Sequence, residues 1–202
     1  MPSPIGHALG ALAAGWAVAA PEPKAGTSGR AAGAWRPALR RAGLILGVAL
    51  LPDLDLLVGV HSQWTHSIGA VVLVFFAAWL AGRGRHPRLA ATLALAYATH
   101  PFLDWLGEDG TPPYGVMAGW PFTDRYFHSG ADLFTGISRR YWLPDFLAHN
   151  LAAVAREVIL LGPFALAGWW WQRLRTRHAA ERRFLQPGAA SADRGESRGN
   201  CK

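Results

Sequence analysis

The chain has 202 residues, 51% hydrophobic in the broad sense and only 16% charged, with ten tryptophans and a formal charge of +7. That balance is too apolar for an ordinary soluble domain and points to a membrane protein. The one cysteine, Cys201, excludes a disulfide framework and a cysteine metal site, so any metal must be held by His, Asp or Glu.

The opening MPSPIGHALGALAAGWAVAAPEP predicts an apolar helix over roughly residues 5 to 20. Its AVAA imitates a signal-peptide cleavage site, but no Lys or Arg precedes the apolar run, so the segment is read as a retained helix carrying His7. A Pro/Gly/Ala-rich loop with Lys24, Arg30, Arg36, Arg40 and Arg41 follows. A second helix is predicted over roughly 43 to 60, and its LLPDLDLLVG stretch holds Asp53 and Asp55. HSQWTHS, with His61 and His66, leads into a third helix over roughly 67 to 82, and a short loop then carries Arg83, Arg85 and Arg88.

The fourth helix, over roughly 89 to 106, ends in THPFLDWL. His100 and Asp104 are four residues apart there and share one helix face, with Pro101 between them. The segment 107–145 is rich in Gly, Pro and aromatics and long for a connection. It reads as a lid or an interfacial aromatic belt, with the belt favoured for most of Trp120, Phe122, Tyr126, Phe127, Tyr141 and Trp142. A fifth helix runs over roughly 146 to 171, where Glu157 beside Arg156 predicts a local or interhelical charge pair. The tail from Arg173 to Lys202 is basic and, from about residue 187, has a disordered composition.

These elements predict an all-α, multi-pass membrane bundle of about five helices over 1–172, followed by a basic cytoplasmic tail over 173–202. Sixteen of the twenty basic residues fall in the two loops and the tail, which five spans would place on one side. The positive-inside tendency makes that side the cytoplasm and the N-terminus extracytoplasmic, in a bacterial inner membrane. The basic tail then reads as an anchor beside anionic lipids and not as a nucleic-acid surface.

The same topology brings His7, Asp53, Asp55, His66, and the pair His100 and Asp104 to the extracytoplasmic face, from four helix ends scattered over a hundred residues of sequence. Carboxylates beside apolar spans require a partner, a cavity or a pathway. A divalent cation would satisfy them together, and mixed imidazole and carboxylate donors suit zinc, iron or manganese better than calcium. His61 and His128 are weaker candidates, and His149 lies on the same side. A metal held there would lower the pKa of a water, with Asp53 or Asp55 as general base.

The ordered set of His7, LLPDLD, HSQWTHS, THPFLD and GVMAGWPF, spread over roughly residues 3 to 170, resembles the bacterial LexA-regulated, inner-membrane-associated, metal-dependent hydrolases. That family is distantly similar to the all-helical zinc-dependent phospholipase C and P1 nuclease group. The resemblance implies Asp53 or Asp55, His66, His100 and Asp104 as the main metal shell, with Asp104 bridging to a second ion near His7. It departs from the family where His-Arg-Gly is usual, since Ser62 and Gln63 follow His61 here, which argues against a substrate-phosphate role at this turn while His66 is kept. The expected activity is hydrolysis of a phosphoester or lipid-type substrate at the membrane surface, with zinc as the expected metal and membrane lipids as neighbours. The alternative is a non-enzymatic membrane protein, handling ions or protons or serving as a scaffold, that keeps a His/Asp metal site.

Overall fold

The computed structural model describes residues 1–20, 36–57, 61–110 and 112–185. Helix α1 spans Pro4–Val18, α2 Arg36–Ala49, α3 Ile68–Ala81, α4 Pro87–Leu106 and α5 Phe146–Leu185, with 3-10 turns at Pro52–Leu57 and Trp64–His66. Two isolated bridges, Gly107 with Phe134 and Val116 with Phe127, tie down the 107–145 segment; among the described residues there is no strand. Among the described residues the regular elements are all helical, as the apolar segments predict.

Helix α1 is notched so that others can reach it. Ser3 caps its first turn by accepting from the Gly6 amide, and Pro4 occupies a position where a missing N–H costs nothing. Gly6, Gly10 and Gly15 are buried along it, and each gives way to a side chain from a different helix. A Cβ on Gly6 would lie 2.8 Å from the Glu157 carboxyl of α5, one on Gly10 2.7 Å from Leu103 of α4, and one on Gly15 2.8 Å from Ile45 of α2. In return, Gly168 of α5 lets the α1 backbone approach, since a Cβ there would meet the Ala13 carbonyl at 2.8 Å. Helix α4 packs against α1, α2 and α3, and α5 lies along α1. The apolar core is Ala11, Ile45, Ala49, Leu93 and Ala96.

The second helix does not run over 43 to 60 as its apolar pattern predicts. It ends at Ala49, and Pro52 opens a 3-10 turn. Proline disfavours the helical conformation in the residue before it and supplies no N–H, so the chain cannot continue the ladder through Leu51. Residues 58–60 lie outside the described residues. By contrast α4 passes through Pro101 and continues to Leu106.

Helix α5 extends the fifth predicted element from 171 to Leu185, so the first part of the basic tail is helical. The predicted disorder beyond 187, Cys201, and the loop residues Lys24 and Arg30 all lie outside the described residues. Within α5 the expected charge pair of Glu157 with Arg156 is not formed. Glu157 is fully buried and accepts hydrogen bonds from the Ser3 amide, at 2.6 Å, and from the Ser3 hydroxyl. Arg156 faces the other way, donating to Thr135 Oγ1 and the Asp132 carbonyl. Neighbours on a helix point about 100° apart, so adjacent charges need not meet.

Among the described residues one helix, over Phe146–Ala179, is long and apolar enough to cross a membrane; Pro4–Val18 and Ile68–Ala81 are apolar but shorter. Fourteen helical residues in α3 cover about 21 Å against an apolar thickness of about 30 Å. The outward side chains nonetheless suit lipid: Ile68, Leu73 and Leu80 on α3, and Ile159, Phe164 and Leu166 on α5, are all more than 60% exposed.

Replacing Glu157 by Ala strands the Ser3 amide in the bundle and opens a void beside Gly6. Thermal unfolding in detergent is expected to show a loss of about 2–3 kcal/mol for Glu157→Ala, and less for Glu157→Gln, which keeps an acceptor. Metal content per folded molecule should stay unchanged, and a loss of metal would show that Glu157 serves the site and not the fold.

Candidate metal centre

Each helix has one end at a shared polar site. His7 lies one turn into α1, Asp53 and Asp55 just beyond α2, His66 just before α3, and His100 and Asp104 in the last two turns of α4. The opposite ends gather the basic residues: Arg40, Arg41, Arg85 and Arg88 line one depression there, and Arg41 and Gln172 both donate to the Ala20 carbonyl.

Asp104 sits at the centre, 2% exposed, with neither carboxylate oxygen accepting a hydrogen bond from the described residues. Around it lie His66 Nε2 at 3.2 Å and His100 Nε2 at 3.4 Å from Oδ2, and His7 Nε2 at 3.4 Å from Oδ1. His100 Nε2 is also 3.4 Å from Asp53 Oδ1. The rings of His7 and His100 stack, with centroids 3.6 Å apart and planes 7° from parallel.

The tautomers follow from what lies behind the rings. His100 Nδ1 is 2.7 Å from the Ala49 carbonyl and must donate to it. That carbonyl is available because α2 stops there. Thr65 Oγ1 has one proton, which it gives to Asp55 Oδ2 at 2.8 Å, so toward His66 Nδ1 at 2.9 Å it can only accept. Both Nδ1 atoms are therefore donors, and in the neutral rings both Nε2 atoms carry lone pairs aimed at a carboxylate. Neither Nε2 has a hydrogen-bond partner. Lone pairs facing anionic oxygens repel unless a cation lies between them.

A divalent ion fits this donor set. Bonds of about 2.0–2.1 Å arranged tetrahedrally separate their donors by about 3.3–3.4 Å, close to the 3.2–3.4 Å between Asp104 and each of His66 and His100 and between His100 and Asp53. The Nδ1–carbonyl and Nδ1–hydroxyl–carboxylate contacts behind the rings are the outer hydrogen bonds that metal-binding imidazoles require. Three overlapping donor groups could each hold an ion: His7, His100 and Asp104; Asp53, His66 and His100; and Asp55, His61 and His66. His7 faces one Asp104 oxygen and His66 and His100 the other, so Asp104 would contribute to either of two neighbouring donor groups.

The two aspartates of PDLD do different work. Residues two apart in a 3-10 turn point about 120° apart, so one side chain reaches the cavity and the other lies behind the rings. Asp55 is buried and accepts from His61 Nδ1 at 2.8 Å, the Ser62 amide at 3.0 Å and Thr65. Burial works to raise its pKa, but these donors and His66 outweigh that and hold the carboxyl well below the usual range. For Asp53, burial is likewise outweighed, here by His100, and the pKa is lowered. For His66, burial favours the neutral ring, but the flanking carboxylates of Asp104 and Asp55 outweigh it and raise the pKa.

Ser62, at φ 65°, adopts a left-handed conformation uncommon for a non-glycine residue. Its amide goes to Asp55 and its carbonyl accepts from Met117, so the strained residue joins the His61 turn to the GVMAGWPF segment. That segment in turn takes the first amides of α3, Ile68 to the Ala118 carbonyl and Gly69 to Trp120. Tyr97 pins the His66 turn to α4 by donating to the Thr65 carbonyl at 2.6 Å.

His128 and His149 are not brought into the cluster. His128 Nε2 meets the Gly107 carbonyl at 3.1 Å and Asp132 at 3.5 Å, and His149 Nε2 meets the Gly136 carbonyl at 2.8 Å. Thr65, Tyr97 and the Ala49 carbonyl were not among the sequence candidates. Thr65 was marked only by its place before His66, and nothing in the sequence distinguishes the Ala49 carbonyl.

His7, Asp53, His61 and Asp104 of the cluster line an open cavity of about 860 Å³, walled by residues of 108–110, 112–113 and 136–149. The YdjM inner membrane protein family matches residues 1–179, and the chain belongs to that family, which places it in the inner membrane. No curated protein and no solved structure matches the chain.

His66→Ala and His100→Ala are each expected to abolish stoichiometric binding of zinc, read by metal analysis of detergent-purified protein. Asp55→Asn, which removes the anionic acceptor behind His61, Ser62 and Thr65, should weaken binding about 10–100-fold. Because binding needs an unprotonated His66 whose pKa is raised, affinity should climb with pH through and beyond about 6.5.

Proposed function

We propose that this member of the YdjM family is a metal-dependent hydrolase that works at the extracytoplasmic face of the inner membrane. The observation that carries the reading is the convergence of unpartnered His66 Nε2 and His100 Nε2 on the Asp104 carboxylate, which itself lines an open cavity with His7, Asp53 and His61. A structural ion would be enclosed; catalytic sites keep an open side. The metal is zinc or another divalent ion of similar preference, and it supplies Lewis acidity and a water of lowered pKa when bound.

The chain's own groups divide the remaining work. His66, His100 and Asp104 would hold the ion, with Asp53 on the cavity side where water or substrate enters, and Asp104 extends the site toward His7. His61 presents Nε2 to the cavity, 3.9 Å from Asp53 Oδ1, while its Nδ1 is held by Asp55 at 2.8 Å. Asp55 is an acceptor here, so Nδ1 carries the proton and Nε2 is free to take one from water and return it to a leaving group. Of the two aspartates, Asp53 reaches the cavity and Asp55 orients His61 and His66.

The orientation rests on the two poles of the bundle. The basic end faces the cytoplasm under the positive-inside tendency, and the His/Asp end faces outward. Multiple passes accommodate the short apolar helices by local thinning of the bilayer or partial burial within the bundle.

In this orientation a fluorescent-protein fusion at the C-terminus is expected to fluoresce and an alkaline-phosphatase fusion there to be inactive; the reverse pattern would overturn it. Zinc-loaded protein should hydrolyse bis(p-nitrophenyl) phosphate or a short-chain phospholipid. His61→Gln should lower kcat by about 10²–10⁴-fold while the zinc stays bound. Stoichiometric zinc with no hydrolysis of phosphodiester, phospholipid or carboxylic ester would favour the ion-handling reading instead.

A further inference from the structure

The far wall of the cavity carries two arginines that the metal cluster does not use. Arg139 and Arg140 both line it and are exposed, and among the described residues neither guanidinium has a hydrogen-bond or ion-pair partner. The backbone that presents them is fixed. Asn150 of α5 pairs with Ser138 in both directions, accepting from its amide at 2.9 Å and donating to its carbonyl at 3.0 Å. The Arg140 amide bonds the Ser138 hydroxyl, and the Leu143 amide bonds the Arg140 carbonyl. Two guanidinium forks are thus held on a turn clamped to the longest helix, in the cavity whose floor holds the His/Asp cluster.

Arginine is also the wrong residue to find here by default. Basic residues in this chain concentrate at the other end of the bundle, and the positive-inside tendency disfavours them at this one. A guanidinium presents planar, paired donors that match the oxygens of a phosphate. A carboxylic ester has no anionic oxygen to engage two of them. Immediately after the pair, Tyr141 and Trp142 are 76% and 67% exposed, as aromatic side chains at a headgroup layer are.

We propose that Arg139 and Arg140 form the anion-recognition wall of the site and bind the non-bridging oxygens of a phosphate ester presented to the His/Asp cluster. The inference rests on the metal-hydrolase reading for what happens to the ester, but the binding it asserts does not depend on turnover.

Calorimetry on zinc-loaded protein in detergent tests it, with inorganic phosphate as the free anion and dihexanoyl-phosphatidylglycerol as the lipid phosphate. Arg139→Gln/Arg140→Gln is expected to weaken both by tenfold or more with zinc content unchanged, and Arg139→Lys/Arg140→Lys to recover part of the loss. Trp142→Ala should weaken the lipid alone if the phosphate belongs to a membrane lipid, and neither probe if it belongs to a soluble ester; both results support the arginine wall. Undiminished binding of both probes by the glutamine pair, or no binding by the wild type, overturns it. Arginine-dependent binding without hydrolysis would keep this inference and remove the hydrolase reading.

Discussion

A carboxylate taken out of water costs several kcal/mol even after the surroundings relax, and the cost is recovered only if charges or donors surround it. Asp104 is buried at the end of α4 with no hydrogen-bond donor on either oxygen, and the groups that face it are ring nitrogens of His7, His66 and His100. Two of those nitrogens are lone-pair bearing whenever their rings are neutral, because the opposite ring atoms are committed elsewhere. The arrangement is self-consistent only with positive charge in the middle. Protons on the rings would serve, and so would a divalent ion; the open cavity above favours the ion, since a proton-balanced core needs no access from outside.

The rest of the fold can be seen as what brings three rings to one carboxylate. Pro52 stops α2, the stop frees the Ala49 carbonyl, and that carbonyl turns His100. Asp55 gathers His61, Ser62 and Thr65 around one side chain, and Thr65 turns His66. The glycine notches let α1 approach α2, α4 and α5 closely, and that closeness puts His7 in stacking contact with His100. Strain at Ser62 is confined to the turn that delivers these groups.

Much of this was visible in the sequence and the rest had a reason not to be. The i, i+4 spacing of His100 and Asp104, and the recurrence of His or Asp at alternate helix ends, encode the cluster, because helix periodicity and chain reversal are local properties. The break in α2 was written in LLPDLD, but an apolar run on both sides of Pro52 reads equally well as one helix. The partner of Glu157 was hidden because it lies at Ser3, at the other end of the chain, and a buried hydrogen bond to a helix cap leaves no periodic trace. Likewise nothing local tells Asp53 from Asp55; only the 3-10 geometry sends one to the cavity and the other behind the rings.

The bundle's two poles carry the last step. At one end Arg40, Arg41, Arg85 and Arg88 stand together with Leu44 and Leu89. At the other end charge is organised atom by atom: carboxylates against imidazoles on the floor and two guanidiniums on a clamped turn above. The two poles lie at opposite ends of the helices, so the charges at the site are balanced by the groups beside them. A site built this way can hold a cation and admit an anion in the same cavity, because each charge is met by its own wall.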